Sequence, residues 1–194
     1  MFMLDFNLSD EQKMLVEMTK SFVEKDMMPH EEILETKGIL PSDLAVVLKK
    51  KSIELGLHAC NLPEDVGGGG LDAVSVMLIE KELGRTSLAL AECAHRPLNI
   101  LSACQGKQVT EFLEPTVRGE KRDCIAMTEP EAGSDLRGMK CKATHDKGHW
   151  LINGVKYFIS QASVSDYCVL FATTGEEETD KGIKKRISAF LVDF

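Results

Sequence analysis

Residues 117–127, VRGEKRDCIAM, divide the chain into two parts that differ in the spacing of their apolar residues. Before Gly119 the apolar residues recur at helical spacing, and no segment shows the alternation of a strand. After it, short runs rich in β-branched and aromatic residues are separated by turn residues. Helices that precede the strands, rather than alternate with them, are typical of an α+β fold. We therefore predict an all-α helical domain over residues 1–119 and an antiparallel β domain over residues 120–194.

The helical part has recognisable helix ends. Ser9 and Gln12 fit a capping box, which predicts a helix extending to about Asp26. A second helix is expected over residues 41–56, and a third is expected to begin after Asp72 and to end at Gly84. Further helical stretches are predicted over residues 88–103, with an interruption near Pro97, and over residues 108–118.

The strand part is predicted from runs of β-favouring residues. They span residues 123–127, 139–145, 150–153, 155–160, 167–173 and 187–194. Asn153 and Gly154 lie between two of these runs and form the dipeptide most favourable for a hairpin turn. The acidic run at residues 176–180 is followed by basic residues, which predicts a solvated hairpin loop.

Composition excludes several classes of protein. The 194 residues carry 31 acidic and 23 basic side chains, a net charge of −8, and they lack the basic face that a nucleic-acid partner requires. No apolar run approaches the roughly 18–20 residues that a bilayer requires, so no membrane insertion is expected. Residues 1–6 lack a basic leader, which predicts a cytoplasmic protein. The six cysteines form no C-x-x-C pair and are expected to be reduced.

Two patterns that often mark ligand sites do not mark one here. The histidines lack the spacing of metal ligands or of a catalytic triad, so no metal site is predicted. His145 and His149 are expected on the surface, on either side of a turn at Gly148. The glycines at 67–70 lack the Lys-Ser/Thr of a phosphate-binding P-loop, and a turn where two backbones pass closely explains them better.

The most unusual segment is MTEPEAGSD at residues 127–135. A strand delivers the hydroxyl of Thr128, Pro130 ends the strand pairing, and Gly133 and Ser134 supply amides and a second hydroxyl. Such groups can hydrogen-bond a planar heterocycle or a phosphate without a formal positive charge. The alternative is an ordinary turn in which both hydroxyls bond to nearby backbone.

Three carboxylates in this segment would repel an anionic ligand. They belong to Glu129, Glu131 and Asp135. We expect them to point outward or to be balanced by basic residues that follow, namely Arg137, Lys140 and Lys142.

This segment, with WLINGVKYFIS at residues 150–160, resembles the middle part of flavin-dependent acyl-CoA dehydrogenases. In that family the usual patterns are T-E-P-x-A-G-S-D and L-N-G-x-K-x-W-I-T-N. Three upstream segments occur in the family in the same order: residues 6–12, PEDVGG at 63–68 and ELGR at 82–85. The resemblance covers essentially the whole chain, and it implies a helical N-terminal domain, a middle β domain and an FAD cofactor.

The resemblance also implies which residues contact the cofactor. Thr128 would lie near the reactive edge of the flavin, and Ser134 would touch both FAD and the acyl-CoA substrate. Phe158 replaces the usual tryptophan, which keeps an aromatic face but removes an indole donor, and Ser160 keeps the hydroxyl. The complete implied set is Ile125, Met127, Thr128, Gly133, Ser134, Phe158, Ile159 and Ser160.

The activity implied is oxidation of an acyl-CoA to a 2-enoyl-CoA, with electrons passed to an electron-transfer flavoprotein, by a homo-oligomer. Family members are roughly twice as long, so the catalytic base is expected beyond Phe194 and no catalytic residue within the chain. The β domain is accordingly expected to be incomplete at its C-terminal end. The alternative function is a non-catalytic truncated paralogue or fragment that acts as a binding or oligomerisation module.

Overall fold

The structure is a computed structural model that describes residues 7–94, 96–180 and 182–194. Predictions that depend on residues 1–6, His95 or Lys181 lie outside the described residues. The chain divides into two compact units, of which the first ends at Glu120 and the second spans Lys121–Phe194. The first unit is helical and the second contains the strands, so the predicted order of helices followed by a sheet is confirmed.

Capping residues define the main helices of the first unit. Ser9 and Gln12 exchange reciprocal side chain–backbone hydrogen bonds of 3.1 Å, which form the predicted capping box. The carboxylate of Asp72 accepts from the N–H groups of Val74 and Ser75 at 2.8 and 3.1 Å. The helices are α1 (Asp10–Phe22), α2 (Glu31–Lys37), α3 (Ser42–Glu54), α4 (Ala73–Leu83), α5 (Leu88–Ala91) and α6 (Glu114–Val117).

Prolines shorten the helical stretches that the spacing predicts. Residues 88–103 contain α5 and two short 3₁₀ turns, Glu92–Ala94 and Asn99–Ala103, on either side of Pro97. Residues 108–118 begin with a π-helical turn, Val109–Leu113, and only then form α6. Pro115 lies in the first turn of α6, where its missing N–H costs no intrahelical bond.

The core of the helical unit lies where α1, α3, α4 and α5 meet. Phe22, Leu48, Ile79 and Leu90 are each at most 2% exposed and belong to one apolar cluster. Burying an apolar side chain of this size contributes about 1.5–3 kcal/mol. The apolar spacing on which the helix predictions rest therefore corresponds to the packed faces of these helices.

The run of glycines at residues 67–70 is a tightly packed turn. A Cβ atom on Gly68 would lie 2.2 Å from the carbonyl oxygen of Leu62, and one on Gly69 would lie 2.9 Å from the Cα of Cys60. All four glycine N–H groups donate to backbone carbonyls, at 2.8–3.1 Å. They are therefore occupied by the protein itself, as the interpretation of this run as a close backbone passage predicts.

Five strands form one open, mixed sheet in the second unit. The long strand β4 pairs antiparallel with β5 along one edge, and on its other edge it pairs in parallel with β1 and then with β2. β2 and β3 form an antiparallel hairpin. The antiparallel pairing expected for this domain is therefore found alongside two parallel pairings, of β1 and of β2 with β4. The strands are β1 (Asp123–Ala126), β2 (Lys142–Asp146), β3 (His149–Asn153), β4 (Tyr167–Thr179) and β5 (Gly182–Asp193).

The prediction of a hairpin turn at Asn153–Gly154 is wrong. The turn between β2 and β3 lies at Lys147–Gly148, where both φ angles are positive, at +46° and +85°. His145 and His149 flank this turn and are exposed, as predicted. Gly154 instead ends β3 against the backbone of Cys141, where a Cβ would lie 2.6 Å from that residue's Cα. The run predicted as a strand over residues 155–160 is consequently a loop.

The charged segment after residue 175 forms paired strands instead of a loop. Glu176 lies opposite Lys185 and Glu177 lies opposite Lys184 in the antiparallel register of β4 and β5. Opposite charges in directly facing positions favour this pairing. The hairpin is therefore longer than its β-favouring residues alone predict.

Cysteine chemistry and membrane spans were each predicted from composition. All six cysteines are free, and five of them are buried. Burial raises the pKa of the Cys168 thiol to about 11, so the thiol stays protonated at neutral pH. Across residues 7–94, 96–180 and 182–194, no helix has the length and apolar character needed to span a bilayer.

Candidate functional site

The candidate site begins where β1 ends. Along β1, Cys124 and Ala126 are buried whereas Ile125 is 40% exposed, which is the alternation of a strand with one open face. After Ala126 the chain leaves the sheet, forms the turn at residues 127–135, and returns as β2 on the same edge of β4. The turn is therefore an excursion between two strands that share one neighbour.

A buried ion pair anchors this excursion. The Lys156 ammonium donates to a carboxylate oxygen of Glu129 at 2.8 Å and to the carbonyl oxygen of Met127 at 3.0 Å. The backbone N–H groups of Lys140 and Cys141 donate to the same carboxylate at 2.6 and 3.0 Å. The side chains of Glu129 and Lys156 are only 4% and 8% exposed. One carboxylate thus joins the turn, the segment before β2 and the loop after β3.

The hydrogen bonds keep Glu129 ionised. Burial alone raises the pKa of this carboxyl, but the bonds from Lys156 and from the backbone N–H groups of Lys140 and Cys141 outweigh burial and lower the pKa below its ordinary value of 4.5. At neutral pH Glu129 is therefore a carboxylate.

The three carboxylates of the turn are all balanced, two of them as expected. The carboxylate of Asp135 accepts two hydrogen bonds from the guanidinium of Arg137, at 2.8 and 2.9 Å, and Glu131 pairs with Lys140. Glu129, in contrast, neither points outward nor pairs with a residue that follows it within the turn. It points inward, because two backbone N–H groups and a distant lysine together satisfy a buried carboxylate.

A second segment of the site lies in the loop after β3. The N–H of Tyr157 donates to the carbonyl oxygen of Thr128 at 2.9 Å, which joins this loop to the turn. Phe158 has a φ of +54° and is 80% exposed, and its ring centroid lies 4.0 Å from that of Tyr157. A positive φ in an aromatic residue is strained and is common at functional sites. The loop thus presents an aromatic face next to the end of β1.

The two segments carry polar groups that bind no other part of the described chain. The hydroxyls of Thr128, Ser134 and Ser160 form no hydrogen bond with any residue that the structure describes. The same is true of the amides of Gly133 and Ser134. The local backbone bonds that an ordinary turn would make with these hydroxyls are therefore not seen within residues 7–94, 96–180 and 182–194.

The eight residues singled out in the sequence divide by orientation. Met127 packs its side chain against a cluster that includes Met139 and Cys141, and Ile159 packs against a cluster that includes Cys124 and Ala126. These two residues are half-buried, with their side chains packed against the protein. The remaining six residues are at least partly exposed: Ile125, Thr128, Gly133, Ser134, Phe158 and Ser160.

Sequence reasoning missed the ion pair that joins the two segments. Glu129 was identified only as one of three acidic residues, and Lys156 only as part of a pattern. The residues beside Lys156 in the chain, Val155 and Tyr157, are both exposed, so they gave no signal that its side chain is buried. Within the described residues, no group of three or more His, Cys, Asp or Glu side chains could hold a metal ion.

Known proteins are similar to this chain in sequence and in fold. "Probable acyl-CoA dehydrogenase YngJ" of Bacillus subtilis is 34% identical over 97% of this chain and 49% of its own length. The subunit CarC of the "Caffeyl-CoA reductase-Etf complex" of Acetobacterium woodii is 31% identical over 95% of this chain and 48% of its own. The solved structure "FAD complex of PigA" has a TM-score of 0.82 at 28% identity, and the match covers 98% of this chain and 50% of that one.

The chain thus spans about half the length of the relatives it matches. A family model for the acyl-CoA dehydrogenase N-terminal domain matches residues 9–120, and one for the middle domain matches residues 124–194. The two models meet where the helical unit gives way to the sheet unit. The chain therefore belongs to the acyl-CoA dehydrogenase family.

Proposed function

We propose that the chain supplies the flavin-binding part of an FAD-dependent acyl-CoA dehydrogenase. The observation that carries this proposal is the junction of two segments with open polar groups, tied by the 2.9 Å hydrogen bond from Tyr157 to Thr128. The family and the FAD complex among the similar structures support the choice of cofactor.

The donor set fits a flavin. An isoalloxazine ring is planar and largely apolar, with a few neutral hydrogen-bonding atoms at its edge, so it requires apolar or aromatic contacts and short neutral donors. Exposed Ile125 and Phe158 offer the first, and the hydroxyls of Thr128 and Ser160 offer the second. The carboxylates of the turn are balanced by basic residues, so they do not repel the diphosphate.

Each residue of the proposed site has a role that its position allows. The Thr128 hydroxyl would donate to the edge of the ring, and Phe158 would pack on its face. Gly133 leaves open space at the turn, since a Cβ there would have no neighbour within 4 Å. Ser134 would contact both FAD and the acyl-CoA. Met127, Ile159 and Ser160 complete the site, the first two through backbone groups because their side chains point inward.

The proposed reaction is α,β-dehydrogenation of an acyl-CoA thioester to a 2-enoyl-CoA. The bound flavin supplies the capacity to accept a hydride, while protein groups orient it. The task of the residues described here is to bind and orient, and the base that removes the α-proton is assigned to the other half of the longer relatives. We therefore expect this chain alone to bind flavin without turnover.

The proposed partners follow from the same relatives. Electron-transfer flavoprotein is the proposed electron acceptor, as the name of the Acetobacterium woodii relative places that protein in a complex with Etf. A homo-oligomer and a role in fatty acid metabolism in the cytoplasm are proposed with the family activity.

Titration of the purified chain with FAD tests the proposal. Saturable binding, seen as a change in flavin fluorescence and weakened in Thr128→Ala, is the expected result. No binding by the wild-type chain would contradict the flavin-binding role and favour the non-catalytic module. Turnover of an acyl-CoA by this chain alone, with an artificial electron acceptor, would contradict the assignment of the base elsewhere.

A further inference from the structure

The buried ion pair of Glu129 and Lys156 is bonded mainly to backbone groups. A buried pair of charges loses much hydration energy, and apolar residues of similar volume often stabilise a protein as well. Here every hydrogen-bonding contact of the pair goes to the backbone or to its own partner: to Met127, to Lys140 and to Cys141. The pair therefore fixes the course of the backbone.

The backbone that it fixes carries the candidate site. The ammonium of Lys156 holds the carbonyl of Met127, which directly precedes Thr128. The residue after Lys156 is Tyr157, whose N–H holds the carbonyl of Thr128 at 2.9 Å. Two consecutive carbonyls of the turn are thus bound by two consecutive residues of the loop. This double contact sets the distance between the Thr128 hydroxyl and the strained, exposed Phe158.

We propose that Glu129 and Lys156 are positioning residues of the flavin site, which hold the end of β1 and the loop at residues 156–160 in the relative placement that the ring requires. This inference rests on the proposed function. Neither residue is assigned a contact with the cofactor, because both side chains are more than nine-tenths buried and bonded within the protein.

The arrangement divides the work between the two charges. Glu129 accepts from Lys140, Cys141 and Lys156, so it anchors the turn to the segment before β2 even without the ammonium. Lys156 alone connects the turn to the loop through side-chain bonds. Removal of the lysine should therefore disturb the flavin site more selectively than removal of the glutamate.

The test compares Lys156→Met with Lys156→Arg, Glu129→Gln and a matched control, Lys184→Met. Lys184 is an exposed lysine of β5, so its replacement removes the same charge without breaking a buried contact. Three quantities are measured on each full chain: the dissociation constant for FAD, the shape of the bound flavin absorbance spectrum, and the hydrogen exchange rate of the Tyr157 amide.

The expected result is selective loss of affinity in Lys156→Met. In metal sites, removing a group that orients a ligand weakens metal binding by about 10- to 100-fold. By analogy, we expect Lys156→Met to weaken FAD binding by at least about tenfold. The bound flavin spectrum should shift and Tyr157 should exchange faster. Lys156→Arg should restore most of the affinity, because it keeps the charge, and Lys184→Met should match the wild type. Glu129→Gln should lie between, since a neutral amide oxygen can still accept from the two backbone N–H groups.

Other outcomes overturn the inference in distinguishable ways. If the wild-type chain binds FAD and Lys156→Met binds it equally well with an unchanged spectrum, the positioning role is wrong and the proposed function stands. If Lys156→Arg binds as poorly as Lys156→Met while Lys184→Met is normal, charge-dependent positioning is wrong. If the wild-type chain does not bind FAD, both the proposed function and the positioning role are overturned. If Lys156→Met does not fold, the FAD affinities of Lys156→Arg and Glu129→Gln are compared instead. The positioning role predicts higher affinity in Lys156→Arg, and equal affinities would contradict it.

Discussion

Two glycine-containing turns of this protein differ in what their glycines do. In the run at residues 67–70 the amides are all bonded to backbone carbonyls, and a Cβ on Gly68 would strike Leu62. In the turn at residues 127–135, a Cβ on Gly133 would meet nothing, and its amide donates to no described residue. Glycine serves close packing in the first turn and openness in the second. A glycine-rich segment is therefore a candidate ligand site only if its amides are unoccupied.

The turns also differ in what holds them. Backbone hydrogen bonds and close apolar packing hold the first, whereas the buried pair of Glu129 and Lys156 holds the second. Added volume in a tightly packed turn lowers the free energy of unfolding, and so does the loss of one charge from a buried ion pair. Each turn should therefore fail for a different kind of substitution.

The largest effect is expected from Glu129→Gln. Removing one partner of a buried ion pair costs about 3–5 kcal/mol, so the free energy of unfolding should fall by about that amount at pH 7. The folded-state pKa of Glu129 lies below 4.5, so its stabilisation is fully present above pH 4.5 and is lost as the pH falls through the folded-state pKa. Urea unfolding at several pH values should show the difference between wild type and Glu129→Gln shrinking below pH 4.5. Glu177→Gln, an exposed change in β4, is the control.

A smaller loss is expected from Gly68→Ala. The added methyl group forces the backbone of Leu62 to move, and overpacking of this kind typically costs about 1–3 kcal/mol. Gly133→Ala is the matched control and should change the free energy of unfolding by less than about 0.5 kcal/mol, since it lies in open space. Equal effects in thermal or urea unfolding would remove the contrast between the two turns.

Thr128→Ala should affect binding more than stability. Its hydroxyl bonds to no described residue, so the free energy of unfolding should change by less than about 0.5 kcal/mol. Loss of one neutral hydrogen bond to FAD should weaken binding by about 0.5–1.5 kcal/mol, or roughly 2- to 13-fold. Thr144→Ala, in an exposed position of β2, should leave FAD affinity unchanged. Unchanged affinity in Thr128→Ala would contradict its proposed contact.

The smallest effect is a change in thiol labelling that reports on each turn separately. Cys60 lies against Gly69 of the glycine run, and the N–H of Cys141 donates to Glu129 of the other turn. Burial raises the pKa of both thiols. Both should react slowly with iodoacetamide in the wild type, after the half-buried Cys104. Mass spectrometry should show faster labelling of Cys141 alone in Glu129→Gln, and of Cys60 alone in Gly68→Ala. Parallel changes at both cysteines would indicate global loosening instead of separate turns.

The parts of the fold that sequence predicts are those set by neighbouring residues. The helix starts at Ser9 and Asp72 depend on bonds to residues two or three positions away, and both are found. The hairpin at Asn153–Gly154 fails because Gly154 is required by a contact with Cys141. The parallel pairing of β1 with β4 has no local signal at all, as the partners lie far apart in the chain.

The candidate site shows the same division. The motif identified Thr128, Ser134 and Phe158. The first two lie in the turn at residues 127–135 and the third lies in the adjoining loop, and all three are exposed or partly exposed. The motif could not give the inward orientation of Glu129, because its partner Lys156 is 27 positions away. Residue types thus indicate the chemistry of a site, whereas the framework that orients them depends on long-range contacts.

The parallel pairing of β1 with β4 also bears on how this protein is made. Asp123 pairs with Tyr167, so 167 − 123 = 44 positions separate the partners, and closing such a long loop is slow compared with forming a local hairpin. During synthesis the motif at residues 127–135 leaves the ribosome well before the strand that supports β1. The turn therefore acquires its shape late, after β4 has been translated and paired, and the proposed flavin site is complete only from that point on.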